Sequence, residues 1–135
     1  MPRYMLDTNI CIYIQKQKPR SVLERFRNTA PGDAVMSAIT WGELIFGAQK
    51  STRSVQVIEQ LEEFRTIVPV SPLHQFCGAA YGKIRWQLQA KGLPIGNNDL
   101  WIAAHALAEN LTIVTNNERE FARVDGLKLE NWVEG

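Results

Sequence analysis

Residues 93–115 read LPIGNNDLWIAAHALAENLTIVT, and this stretch decides the fold. Asn98 to Glu109 is too long and too apolar for a strand and reads as a helix buried on nearly all sides. Leu111 to Thr115 follows at once, with the β-branched Thr, Ile and Val of a strand in the middle of a sheet. A buried helix feeding an interior strand is the repeating unit of a parallel sheet covered on both faces.

The rest of the chain repeats that alternation. Tyr4-Met5-Leu6 is a short apolar run that stops at Asp7-Thr8-Asn9, a strand end followed by a helix cap. A short helix spans Ile10 to Gln17 and stops at Pro19, and a second covers Val22 to Asn28. Pro31-Gly32-Asp33 is a turn into a buried strand over Ala34 to Ser37. Helices are expected over Ile39–Gln49 and Ser54–Thr66, then a strand over Ile67–Val70 placed at an edge by Pro69. A long helix introduced by Pro72 runs to Ala90, and Gly126–Leu129 supplies a last strand. Residues 1–135 carry no repeat and no linker, so one domain is expected.

Composition excludes more than it assigns. The net charge of +1 gives no global attraction to nucleic acid, so RNA binding would fall to local basic patches. Candidates are Lys16, Lys18 and Arg20, then Arg25 and Arg27, then Lys83, Arg85 and Lys91, each of which also reads as a solvated helix face. Cys11 and Cys77 sit in apolar company without metal-ligand spacing and are expected in the core, which suits a reducing cytoplasm. No apolar run approaches the ~20 residues of a membrane span, so a soluble cytoplasmic protein is expected.

Three acids are isolated in a way that points to chemistry. Asp7 is the only charged side chain between Arg3 and Lys16, and Glu43 the only one between Asp33 and Lys50. Between Lys91 and Glu109, neutral histidine aside, the only one is Asp99. Burying a carboxylate costs several kcal/mol unless it is neutralised or paired, and none of these segments offers a Lys or Arg. Asp7 ends the first strand, Asp99 starts a buried helix, and Glu43 lies one turn into its own. Convergence would set the three against each other, and a divalent cation with oxygen ligands, Mg²⁺ or Mn²⁺, resolves the repulsion. The plainer readings are helix capping for Asp7 and Asp99, and an exposed position for Glu43. A fourth element, Thr115-Asn116-Asn117-Glu118-Arg119-Glu120-Phe121, falls at a strand end. There Asn117 could orient a water and Glu120 add a charge, or the segment could be a turn and an Asn-capped helix.

Four motifs in order carry a family resemblance: Met5-Leu-Asp-Thr-Asn9, Ser37-Ala-Ile-Thr-Trp-Gly-Glu43, Ile95-Gly-Asn-Asn-Asp-Leu-Trp-Ile-Ala-Ala104 and Ile113-Val-Thr-Asn-Asn117. Together they resemble the PIN-domain ribonucleases, in particular the VapC toxins of type II toxin–antitoxin pairs, over nearly the whole chain. The resemblance implies a three-layer α/β/α fold with a central parallel sheet and an acidic pocket for Mg²⁺ or Mn²⁺. It implies catalytic and metal-binding roles for Asp7, Glu43 and Asp99, a homodimer, and a VapB-type antitoxin. It implies RNA cleavage that inhibits translation, with tRNA, and the anticodon loop of initiator tRNA in particular, as the substrate. The family's fourth acidic position falls on Asn117, which makes this site one charge less negative and leaves one or two metals open. Thr8, Asn9, Thr115 and Asn117 are placed to orient the carboxylates, and Glu120 is a further candidate. Trp41 and Trp86 can stack on bases or pack in the core or an antitoxin groove.

Rival classes fare worse. A receiver domain needs an acid after the third strand, where this chain has Pro69-Val-Ser-Pro-Leu. No GxGxxG follows the first strand, which argues against a dinucleotide-binding fold. His105 lies six residues after Asp99, on another side of the same helix, and His74 reads as surface or capping. The remaining alternative is a catalytically weak PIN-fold module that binds RNA or an antitoxin.

Overall fold

The computed structural model describes residues 1–133. Its elements run β1 (Tyr4–Leu6), α1 (Thr8–Lys16), α2 (Arg20–Arg27), β2 (Ala34–Ser37), α3 (Ala38–Gln49), α4 (Ser54–Ile67), β3 (Val70–Ser71), α5 (Gln75–Ala90), α6 (Asn97–Glu109), β4 (Thr112–Val114), α7 (Glu118–Phe121) and β5 (Leu129–Glu130). The strands form one sheet in the order β3-β2-β1-β4-β5, and every pairing is parallel. The α/β fold with a central parallel sheet is therefore as expected.

The two-residue period of the strands divides the core. Tyr4 and Leu6, Ala34 and Met36, and Val114 point to one face, where Ile10, Ile14, Leu44, Leu61, Phe64 and Trp132 cover them. Met5, Val35 and Ile113 point to the other, against Ile84, Leu88, Leu100, Ile102, Ala103 and Phe121. The sheet is thus the middle of three layers. Cys11 and Cys77 are free thiols buried in the core, and burial pushes the Cys11 thiol well above its usual range.

Three boundaries differ notably from the sequence reading. The expected strand Ile67–Val70 is displaced to Val70–Ser71, because the Val68 N–H still donates to Phe64 at 2.9 Å and extends α4. Pairing begins only past that turn, where the Pro69 carbonyl accepts from Met36 at 2.9 Å. The long helix starts at Gln75 rather than at Pro72, with the His74 ring capping it by accepting the Phe76 N–H at 3.2 Å. The tail strand is Leu129–Glu130, at the end of the expected Gly126–Leu129 segment. No helix among the described residues is long and apolar enough to cross a membrane.

The order of strands reverses between β1 and β4, and the crevice beyond their carboxyl ends is where sheets of this kind place ligands. Asp7 follows β1 and Thr115 follows β4, so both open into that crevice.

Candidate functional site

Asp7 is both a helix cap and the floor of the site. Oδ1 accepts the Ile10 N–H at 3.2 Å, capping α1, and Oδ2 accepts the Thr115 hydroxyl at 2.5 Å. The Asn9 backbone N–H adds a further bond. Only 4% of Asp7 is exposed. Burial raises its pKa, the Thr115 and backbone bonds work against that rise, and the Glu43 charge adds to it.

Glu43 reaches the crevice from α3. The Thr8 hydroxyl donates to its Oε1 at 2.5 Å and lies 3.2 Å from the Thr40 hydroxyl, one turn earlier on the same face. The Asn98 amide donates to Oε2 at 3.3 Å. Glu43 is therefore held in place, not a lone exposed acid. Asp99 sits in the first turn of α6 but does not cap it; Gly96 takes that position and brings no side-chain bond. Its carboxyl is pushed up to about 6, first by burial, then by the charges of Asp7, Glu120 and Glu43, and by a hydrogen bond with Glu120. Asn117 Nδ2 donates to Glu120 Oε2 at 3.1 Å, so Asn117 acts on Glu120.

The fold thus draws Asp7, Glu43 and Asp99 into one electrostatic group and adds Glu120. Thr8 and Thr115 donate to Glu43 and Asp7, whereas Asn9 contributes its backbone and its residue is exposed. Thr40 and Asn98 were missed by the sequence reading. Their signal was weak: a buried Thr three residues before Glu43, and an Asn beside Asp99.

These acids lack a counter-charge. None of the ion pairs among the described residues includes Asp7, Glu43, Asp99 or Glu120. Nor do three Asp, Glu, His or Cys side chains among the described residues converge tightly enough to hold an ion as they stand. Each carboxylate instead meets a hydroxyl, an amide or another carboxyl. An all-oxygen donor set in which neighbouring carboxylates help raise the pKa of Asp7 and Asp99 is the chemistry that suits Mg²⁺ or Mn²⁺.

Around the cluster, a groove lined by Ala38, Ile39, Gly42, Phe46 and Asn98 opens beside Glu43. On the other flank of α6, Arg85 donates to the Tyr81 hydroxyl at 2.7 Å, and Tyr81 donates to Asn97 at 2.5 Å. Part of the basic surface is committed elsewhere: Arg20 pairs with Glu24, Arg25 with Glu130 and Lys91 with Asp125. Trp41 packs against the core while Trp86 is 71% exposed.

Comparison with known proteins gives this arrangement a family. The PIN domain model matches residues 4–127. The chain is 46% identical to ribonuclease VapC2 of Haemophilus influenzae over 98% of its own length and all of the relative's. It is 44% identical to the tRNA(fMet)-specific endonuclease VapC of Shigella flexneri, covering 98% of this chain and 99% of that one. The crystal structure of DNA-bound VapBC from Salmonella typhimurium aligns with a TM-score of 0.92 at 39% identity, over 98% of this chain and 100% of the other. Fold, crevice and relatives agree, and the chain belongs to the VapC family of PIN-domain proteins.

Proposed function

We propose that this chain is a Mg²⁺- or Mn²⁺-dependent endoribonuclease, the toxin of a VapBC-type pair. The observation that carries the reading is that Asp7, Glu43 and Asp99 form one electrostatic group at the switch point of the sheet, with no ion pair to a cationic side chain among the described residues.

Asp7, Asp99 and Glu43 are the residues that would hold the ion. Once bound, it lowers the pKa of a water and polarises the scissile phosphate. The Thr115 hydroxyl and the Ile10 N–H keep Asp7 aimed into the crevice, and Thr8 and Asn98 do the same for Glu43. Asp99, its carboxyl raised to about 6 by burial and the neighbouring acids, holds its proton only below neutral pH and would meet the ion as an anion at pH 7. Arg85, at the flank of α6, and the exposed lysines grip phosphates, and exposed Trp86 offers a stacking face to an unpaired base. Water is the nucleophile, so the product carries a 5′-phosphate and the ribose 2′-OH has no part in the chemistry.

The substrate reading is tRNA, with initiator tRNA and its anticodon loop first, supported by relatives named tRNA(fMet)-specific endonucleases. Cleavage there inhibits translation. The VapBC structures among its relatives support a VapB-type antitoxin as partner, and the family resemblance supports a homodimer in the cytoplasm. The second reading, a catalytically weak module that binds RNA or antitoxin, is favoured by Asn117 at an otherwise acidic position.

Cleavage of total tRNA by antitoxin-free protein, with Mg²⁺ or with EDTA, separates the two. Metal-dependent cuts at one site, leaving 5′-phosphates and persisting with a 2′-deoxy sugar at that site, support the nuclease. Binding without cutting supports the module.

A further inference from the structure

Behind the acidic cluster lies a second polar network, centred on His105. It is fully buried on α6 among Ile102, Ala103, Ala104 and Ala106. Nδ1 lies 2.8 Å from Ser37 Oγ and Nε2 lies 3.2 Å from Ser71 Oγ. These two serines end β2 and β3 and are paired across the sheet. Ser37 Oγ also accepts the Ile39 N–H at 3.1 Å, which makes Ser37 the N-cap of α3.

Proton directions follow from the neighbours. The Glu109 carboxylate can only accept, so the Ser71 hydroxyl donates to its Oε1 at 3.4 Å and takes the ring proton from His105 Nε2 as a hydrogen bond. The neutral ring then leaves Nδ1 bare to accept the Ser37 hydroxyl, whose oxygen also accepts the Ile39 N–H. His74 Nε2 donates to the same Glu109 oxygen at 3.1 Å while its Nδ1 accepts the Phe76 N–H. Burial lowers the His105 pKa, helped by His74 and opposed by Glu109 and a Pro72 backbone bond, so the ring stays neutral. A neutral imidazole accepts at one edge and donates at the other, as both serines require.

His105 and Asp99 are six residues apart on α6, as are Ser37 and Glu43 along α3 and its cap. Over roughly 9 Å of stiff helix each, tying Ser37 to His105 ties Glu43 to Asp99. We propose that His105 is a positioning residue, pinning the cap of the helix that carries Glu43 to the helix that carries Asp99. The consequence for catalysis rests on the ribonuclease reading; the geometry does not.

The test compares His105→Asn, whose amide reaches the Nδ1 position and keeps the Ser37 bond, with His105→Gln, whose amide reaches the Nε2 position and keeps only Ser71. Three readouts are taken on the full chain at a temperature where both are folded: Mn²⁺ affinity, kcat against KM for RNA cleavage, and amide exchange over residues 39–43 without metal. The Gln variant is expected to lose ~10–100-fold in kcat and Mn²⁺ affinity. Its KM should stay within about 2-fold, as for a residue that does not bind substrate. Exchange should quicken in the Gln variant and stay near wild type in the Asn variant, which keeps most of its kcat. If the Gln variant does not fold, Ser37→Ala should show the same losses and Ser71→Ala should not. Equal behaviour of the Asn and Gln variants, or of the two serine variants, overturns the proposal. A wild-type protein that cuts no RNA overturns the ribonuclease reading instead, and the exchange rates still decide the role of His105.

Discussion

Two polar clusters lie near the carboxyl ends of the strands, and they are opposites. Around His105 each side chain answers another: Ser37 and Ser71 bracket the ring, and Glu109 accepts from Ser71 and His74. Around Asp7 the arithmetic fails: four carboxyls share a handful of hydroxyl, amide and backbone donors and form no ion pair with a cationic side chain among the described residues. A closed network stabilises a fold, whereas an open one is retained at a cost in stability for what it binds. The two should therefore respond to substitution with opposite signs.

The largest effect is expected on activity. Asp7→Asn or Asp99→Asn should lower RNA cleavage on the order of 1000-fold or more, because several kcal/mol of charge stabilisation go with the metal. The same Asp99→Asn change should raise metal-free stability by roughly 1 kcal/mol at pH 7, measured by denaturant melts, since a strained charge has been removed. His105→Leu should do the reverse to the closed cluster. It strands the Ser37 and Ser71 hydroxyls and should cost about 2–4 kcal/mol in the same melts.

A pH series sharpens the contrast further. The folded Asp99 holds its proton up to about 6, whereas an unfolded Asp releases it near 3.8. The folded state therefore binds more protons across that window, and metal-free stability should fall as the pH rises through it. Asp7, also raised, acts in the same direction. Saturating Mn²⁺ should remove that slope, which thermal melts at a series of pH values would read directly. The smallest expected change is Asn117→Asp, which restores an acid beside Glu120. It should tighten Mn²⁺ binding about tenfold in calorimetry, about 1.4 kcal/mol, and an unchanged affinity would place that position outside the metal's reach.

The sequence was informative where isolation or periodicity was strong. Asp7, Glu43 and Asp99 stood out because a lone acid in an apolar run has no local way to be neutralised. The strands β1, β2 and β4 were legible because each short run is largely apolar and bounded by turn or cap residues, whereas which residue faces which layer was not. The start of α5 misled because Pro72 looks like a first helical residue, while the cap that forms is the His74 ring, three-dimensional information carried by one side chain. The β3 boundary slipped because Ile67 and Val68 are as good in a strand as in a helix end. The His105 network was invisible for a different reason. Its partners are up to 68 residues away, and a histidine, two serines and a glutamate announce nothing until the sheet brings them together. Excluding His105 as a partner for Asp99 was right, yet the ring's own role lay on the side facing β2 and β3.

The central claim is that the open cluster is a divalent-metal site. Calorimetric titration of Mn²⁺ into antitoxin-free protein at pH 7, beside Asp7→Ala and Asp99→Asn, tests it most directly. The account predicts saturable binding whose proton release grows as the pH is lowered from 7 to about 6, where Asp99 carries a proton, and loss of that binding in both variants. Absence of binding in the wild-type protein, or equal binding in all three, would contradict it.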